Sequence, residues 1–305
     1  MVTQAPAGRS DADATHASHA WTSWPAPAKI NLFLHIGGRR ADGYHLLQTA
    51  FQLLEWGDEV RFRVRDDGEI RRIDPLPGVA PEADLAVRAA QALREASGTR
   101  AGADIAIEKR IPIGGGLGGG SSDAATTLVA LNALWGIGLG EDALAAIGLT
   151  LGADVPVFVR GRSAWAEGIG DELTPIDLPE RWYVVIDPGV RVPTRDLFQV
   201  PDLTRNSPPL TIPLFARGAA TGNVFEPVVR GRFPEVGAAL EWLGGFGPAR
   251  LSGSGGCVFV TAASREAGLA VLAECPPGMR GVVTRGVAES PLRRRLAEWR
   301  EAIGS

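Results

Sequence analysis

Pro112-Ile113-Gly114-Gly115-Gly116-Leu117-Gly118-Gly119-Gly120-Ser121-Ser122-Asp123-Ala124-Ala125 is the stretch that decides how this chain is read. Ala103 to Glu108, just before it, reads as a strand. Ser122 to Trp135 reads as a helix with Ala125, Leu128, Val129 and Leu131 among its apolar positions. The six glycines let backbone N–H groups turn inward and meet an anion at distances that any Cβ would obstruct. The helix start adds unpaired N–H groups and the positive end of its dipole, and Ser121, Ser122 and Asp123 are good capping residues. A flexible linker is the competing reading, but linkers do not join a strand to a well-capped helix. Pro112, Ile113, Gly114, Gly115, Gly116, Leu117, Gly118, Gly119, Gly120, Ser121 and Ser122 are therefore expected to wrap a phosphate chain.

The loop lacks the lysine that a Walker A sequence places after its last glycine. Gly114, Gly116 and Gly119 match the G-x-G-x-x-G spacing of dinucleotide sites, but a run so rich in glycine matches by chance. A Rossmann unit would continue into a buried parallel strand ending in an acidic residue. Here the next strand expected is Val155 to Arg160, and a second helix, Glu141 to Leu149, precedes it. A dehydrogenase stays as a minor alternative.

Bulk properties narrow the class. At roughly 150 residues per domain, a chain of 305 residues suggests two domains. The formal charge of −4 provides no basic field for nucleic acid or anionic lipid, so a polyanion must be held locally. No stretch is long and apolar enough to span a bilayer. Residues 1–22 lack the apolar segment of a signal peptide and are expected to form a disordered leader. Cys257 and Cys275 suggest no disulfide framework, and His16, His19, His35 and His45 form no metal-ligand spacing. A cytoplasmic setting is expected, with the chain as monomer or homodimer.

Working outward, Ala28 to Ile36 alternates as a strand that puts Lys29, Asn31, Phe33 and His35 on one face. Arg39 to Gly43 forms a turn, followed by Tyr44 and His45, which offer a ring for stacking and an imidazole for a base edge. Further strands are expected at Gln48 to Leu54, Asp58 to Arg65, Trp182 to Ile186 and Cys257 to Thr261. Helices are expected at Asp84 to Glu95, Ala267 to Ala273 and Leu292 to Ile303. Asp154 stands at the entrance to an apolar segment, where an aspartate is often only a cap or turn residue. Val192 to Ala220 is rich in proline and polar residues and reads as loops over a site. Gly253, Ser254, Gly255 and Gly256 form a second glycine-rich turn that feeds a strand.

The first glycine loop resembles the Pro-x-x-x-Gly-Leu-Gly-Ser-Ser-Ala-Ala loop of the GHMP kinases. Its expanded Gly-Gly-Gly-Ser-Ser-Asp-Ala-Ala form is similar to the branch acting on a cytidine diphosphate derivative of methylerythritol. Pro27 to Leu32 resembles the family's first motif, and Leu251 to Phe259 its third. Pro193-Thr194-Arg195-Asp196-Leu197-Phe198 also matches the branch. The resemblance implies an α+β, two-domain fold with an N-terminal ATP-binding domain, taken as 23–178, and a C-terminal substrate domain, taken as 179–305. It implies ATP and Mg²⁺, with Lys29 and Asp154 as the catalytic pair. Asn31 and Thr194 would contact substrate, Tyr44 and His45 would hold the cytosine, and Phe198 would cover its other face. Asp84 stands where the branch often has an adenine-side asparagine. No protein carboxylate pair for the metal is recognisable, leaving ATP oxygens, water and a loop serine such as Ser122. Another GHMP small-molecule kinase and a non-catalytic nucleotide sensor of the same fold remain open at this point.

Overall fold

The computed structural model describes residues 20–41, 43–76, 79–219 and 221–304. Most of the expected leader, with His16 and His19, and Asp42 of the expected turn lie outside the described residues. Thr22, assigned to the leader, is already in a strand and pairs with Phe62.

Among the described residues ten strands form a single sheet: β1 (Thr22–Arg39), β2 (His45–Arg65), β3 (Ile70–Arg72), β4 (Gly102–Glu108), β5 (Ala164–Glu167), β6 (Glu172–Pro175), β7 (Trp182–Asp187), β8 (Arg250–Leu251), β9 (Val258–Ala262) and β10 (Arg280–Val287). Neighbours run β3-β4-β2-β10-β7-β9-β8, while β1 and β5 pair with β2 and β6 pairs with β5. The helices are α1 (Leu85–Ser97), α2 (Gly119–Leu134), α3 (Glu141–Leu151), α4 (Val155–Arg160), α5 (Thr194–Leu197), α6 (Ile212–Ala216), α7 (Glu226–Arg232), α8 (Pro234–Gly244), α9 (Arg265–Ala273) and α10 (Pro291–Gly304).

The two strands expected at Gln48 to Leu54 and Asp58 to Arg65 are one long strand, β2. It is the spine of the sheet, bonded along its length to β1 and in separate stretches to β4, β5 and β10. Two large hydrophobic cores result, beside smaller clusters, among the described residues. One packs Trp24, Phe62, Leu93, Leu128 and Phe158 between helices and the β1–β2–β4 region, and the other packs Val184, Leu197, Phe225, Leu240 and Val260 in the C-terminal half. α2 lies inside the first core and is buried at every position from Ser122 to Asn132, as expected of a helix with no polar face.

Two expectations fail for local reasons. Val155 to Arg160 is a helix, not a strand. Pro156 sits in its first turn, where a missing N–H costs nothing, and Gly161 ends it at φ 60°. A short apolar run fits a buried helix as well as a buried strand, and the proline decides between them. The alternation of β1 also breaks. Its register shifts between Asn31 and Leu34, so Phe33 joins a core with Trp165 while Leu34 takes over the side lined by Lys29 and Asn31.

The chain does not finish in the half expected to hold residues 179–305. β10 crosses to β2 at Gly286 and Val287, and α10 packs Leu292, Leu296 and Trp299 into the N-terminal core, with the Trp299 ring 5.9 Å from that of Trp24. The C-terminal helix thus holds the two halves together. Leu292→Ala is expected to cost about 2–5 kcal/mol, the usual range for an emptied core leucine, read as a lower midpoint in denaturant unfolding of the whole chain.

Candidate active site

Lys29 is the centre of the site. It leaves a bulge in β1, where the register shifts between Pro27 and Lys29, and its side chain is 4% exposed. Its ammonium donates to Asn31 Oδ1 at 2.5 Å and to the Gly116 carbonyl at 3.1 Å, and it forms an ion pair with Asp154 Oδ2 at 3.3 Å. The Phe51 ring lies 5.2 Å from Nζ and walls one side. Asn31 is itself held, donating from Nδ2 to Thr49 Oγ1 at 2.9 Å, and Thr49 donates to the Phe33 carbonyl at 2.5 Å.

Asp154 precedes α4 but its carboxylate makes no capping bond to that helix. It is one-third exposed and faces the cleft, paired with Lys29. This aspartate is not spent on a turn.

Two cavities meet at this pair. The first, about 350 Å³, is lined by every residue from Pro112 to Ser121 together with Lys109, Asp123 and the start of α1. The second, about 490 Å³, is lined by Lys29, Asn31, Tyr44, His45, Asp154, Thr194 and Phe198 among others. Gly116 and Gly118 belong to both. Gly118 begins α2 at φ 74°, and a Cβ there would lie 2.7 Å from Phe158 Cζ. The loop is therefore a floor shared by an anion-binding slot and an acceptor cleft, with the Lys29–Asp154 pair at the junction.

The second glycine turn locks against the first. A Cβ on Gly255 would stand 2.0 Å from the Gly116 nitrogen, and one on Gly116 would stand 2.0 Å from the Ser252 carbonyl oxygen. Cys257 N donates to the Gly115 carbonyl at 3.0 Å, and Ser252 Oγ donates to the Gly116 carbonyl at 3.1 Å. Gly253 and Ser254 line the acceptor cleft, where Ser254 Oγ lies 2.7 Å from Thr194 Oγ1. Gly256 packs against the Val190 carbonyl instead of lining either cavity.

The expected base-reading rings are together. His45 stacks on Phe198 with centroids 5.0 Å apart, while Tyr44 is 61% exposed at the rim of the cleft. Burial, then Arg205 and Arg39, hold the His45 imidazole below its usual range and so favour the neutral ring. Arg205 Nε donates to His45 Nε2 at 3.3 Å, which leaves Nδ1 to carry the proton. The same guanidinium donates from Nη2 to the Phe198 carbonyl at 2.9 Å. Arg205 thus fixes both rings, and nothing in the proline-rich stretch that contains it signals this.

Three further placements differ from expectation or extend it. Ser122 is wholly buried, its Oγ has no partner, and it lines neither cavity, whereas Ser121 faces the slot. Asp84 lines the slot, but its carboxylate caps α1 through Ala86 N at 2.9 Å and pairs with Arg72 at 2.7 Å. Lys109, three residues before Pro112, sits at the slot between Asp58 and Asp123, at 2.5 and 2.7 Å. Sequence reasoning missed Lys109, although the need for local basic groups in an acidic chain could have drawn attention to the lysine just before the glycine loop. Among the described residues, no group of three or more His, Cys, Asp or Glu side chains is placed to hold a metal, and no helix is long and apolar enough to cross a membrane.

Fold and site together define a small-molecule kinase with a glycine-loop phosphate slot. Residues 84–162 match the GHMP kinases N terminal domain and residues 201–276 the GHMP kinases C terminal domain. The chain belongs to the GHMP kinase family. It is 59% identical over 273 residues, 89% of this chain and 92% of the relative, to the 4-diphosphocytidyl-2-C-methyl-D-erythritol kinase of Xanthomonas axonopodis pv. citri. It is 57% identical over 281 residues, 91% and 97% of the two chains, to the Halorhodospira halophila protein of the same name. A crystal structure of 4-(cytidine 5'-diphospho)-2C-methyl-D-erythritol kinase superposes with a TM-score of 0.76 at 35% identity, covering 87% of this chain and all of that one. The homoserine kinase of Cytophaga hutchinsonii, at 19% identity and TM-score 0.64, shares the fold.

Because the two glycine turns touch backbone to backbone, Gly255→Ala is expected to destabilise the chain by on the order of 3 kcal/mol and to weaken ATP binding. Thermal unfolding and nucleotide titration check this. An unchanged melting temperature would mean that the turns are not interlocked.

Proposed function

We infer that this chain transfers the γ-phosphoryl group of ATP to the 2-hydroxyl of 4-diphosphocytidyl-2-C-methyl-D-erythritol, a step of the non-mevalonate route to isoprenoid precursors. The observation that carries this reading is the 3.3 Å Lys29–Asp154 pair at the junction of a phosphate slot and a cleft lined by Tyr44, His45 and Phe198. High identity over nearly the full length of the relatives supports the choice of substrate.

In this reading the N–H groups of Gly114 to Gly120 and the start of α2 hold the ATP phosphates. Asp154 accepts the proton of the acceptor hydroxyl. The Lys29 ammonium pairs with that carboxylate and offsets negative charge as the alcohol oxygen attacks. Phosphoryl transfer asks mainly for positioning and charge stabilisation, which a shared loop beneath both substrates supplies. Mg²⁺ would neutralise phosphate charge. With no carboxylate cluster among the described residues and Ser122 turned into the core, the donors present fit a cation carried on the nucleotide, touched at most by Ser121. The free thiols of Cys257 and Cys275 agree with a cytoplasmic setting.

Asp154→Asn is expected to lower kcat by about two to four orders of magnitude while the Kd for ATP stays within about threefold, measured by a coupled ADP-release assay and by titration. Near-normal turnover would remove Asp154 as the base.

The cytosine cleft makes a pH prediction. His45 has a folded-state pKa below its ordinary value of 6.5, so the neutral ring stabilises the fold and the cleft above that value. That contribution is lost as pH falls through the lowered folded value, where the protonated ring meets Arg205 and Arg39. KM for the cytidyl substrate is expected to be flat at neutral pH and to rise on acidification, with the KM for ATP following a separate profile. A KM that rose only above neutral pH would contradict the assignment.

A further inference from the structure

A third cavity, of about 420 Å³, lies on the opposite face of the sheet from the catalytic cleft. Strand alternation fixes the faces. Asn31 and Phe51 line the catalytic cleft, while their chain neighbours Leu32 and Gln52 line the cavity behind. Its inner end lies at the seam where β10 crosses to β2. Gly286 lacks a side chain there, and a Cβ would stand 2.8 Å from both Gln52 Cδ and Tyr183 Cε2. The absent methyl lets the amide and the phenol come together.

One buried polar atom at this seam is unused. Gln52 is 1% exposed, and the two hydrogens of its Nε2 are shared among Leu53 O, Ser163 Oγ and Val287 O, each 3.1 Å away. Its Oε1 has no partner. Burial pushes the Tyr183 phenol up to about 12 against the pull of Arg181 and Arg250, which keeps the hydroxyl a neutral donor close to both guanidiniums. Arg250 Nη1 donates to neutral oxygens, the Leu32 carbonyl at 2.6 Å and Thr221 Oγ1 at 3.1 Å. Neither arginine forms an ion pair with a carboxylate among the described residues. Asp177, exposed at the rim, is the one carboxylate among the lining residues described. Leu32, Ile212, Phe215 and Phe259 provide an apolar wall beside these groups.

Two guanidiniums without carboxylate partners and a phenol donor are matched to a phosphate's several acceptor oxygens. The apolar wall is matched to a hydrocarbon body, and the volume lies in the range of small-molecule sites. We propose that this cavity is a second ligand site, for a phosphate monoester with an apolar body, its head between Arg181, Arg250 and Tyr183 and its body along Phe215 and Phe259. Arg250 also holds the Leu32 carbonyl, one residue from Asn31, so an occupant bears directly on the strand that carries Lys29.

The test is calorimetric titration of the full chain with n-hexyl phosphate, with a non-hydrolysable ATP analogue and cytidine diphosphate present to fill the catalytic cleft. The expected result is one saturable event in the sub-millimolar range, with n-hexanol and inorganic phosphate each at least about tenfold weaker. Arg181→Glu and Thr261→Trp alter exposed lining residues, the first reversing charge and the second filling space, and each should weaken binding at least about tenfold. Melting temperatures report whether each variant folds, and Arg181→Glu alone suffices if the tryptophan is not tolerated. No saturable binding, equal binding of inorganic phosphate, or binding untouched by the folded variants would each overturn the proposal. The measurement reads binding without turnover, so its failure is separate from failure of the kinase reading.

Discussion

The Lys29 ammonium is held by two hydrogen-bond acceptors and one carboxylate, and the molecule is arranged so that these three meet. A buried charge is tolerated only when it is paired and hydrogen-bonded. Each partner comes from a different element: Asn31 from the same strand, Gly116 from the glycine loop, Asp154 from the turn before α4. Satisfying one ammonium therefore fixes the position of the strand, the loop and the carboxylate relative to one another. All three line the cleft, and Asp154 is the one that is charged and one-third exposed there.

That constraint extends into the C-terminal half through main chain. The Gly116 carbonyl that accepts from Lys29 also accepts from Ser252 Oγ, and Ser252 Oγ in turn receives Asn31 N at 3.4 Å. Glycine is required on both turns because the approach leaves no room for a side chain, as the 2.0 Å distances at Gly116 and Gly255 state directly. The same contact explains why two cavities share a floor. Where two glycine turns interlock, backbone forms the wall on both sides.

Much of this was legible in the sequence because its physics is local. Six glycines between a strand and a helix start specify an anion slot without any tertiary information, although α2 begins after Gly118 with no side-chain cap and so takes Ser121, Ser122 and Asp123 inside it; Lys29, Asn31 and Asp154 lie together in the fold. What was not legible is what tertiary contact decides. Val155 to Arg160 carries no periodicity, so its helical state is set by Pro156 and by burial against α2. The flip of Phe33 goes with the register shift between Asn31 and Leu34 in the pairing of β1 with β2, which the alternation of β1 does not announce. Arg205 lies 160 positions from His45, and its five hydrogen bonds arise from a loop path that composition alone does not encode. Ser122 reads as a loop ligand by its position in the motif, yet the phase of α2 turns its hydroxyl into the core.

The electrostatics of the phosphate slot follow from how Lys109 is used. Its ammonium contacts Asp58 and Asp123, and Asp58 is also bonded by the backbone N–H groups of Arg110 and Ile111 at 2.5 and 2.7 Å. One cation beside two carboxylates contributes no surplus positive charge. Burial pushes Asp123 up to about 7 even against the pull of Lys109, which reduces the negative excess without reversing it. The attraction for phosphate must then come from the glycine-loop N–H groups and the dipole of α2, whose strength depends on backbone geometry and not on side-chain charge. An acidic protein can hold a polyanion on these terms. They also make nucleotide binding sensitive to anything that shifts the loop, which is why the interlock with the second glycine turn matters more to this site than any single basic residue.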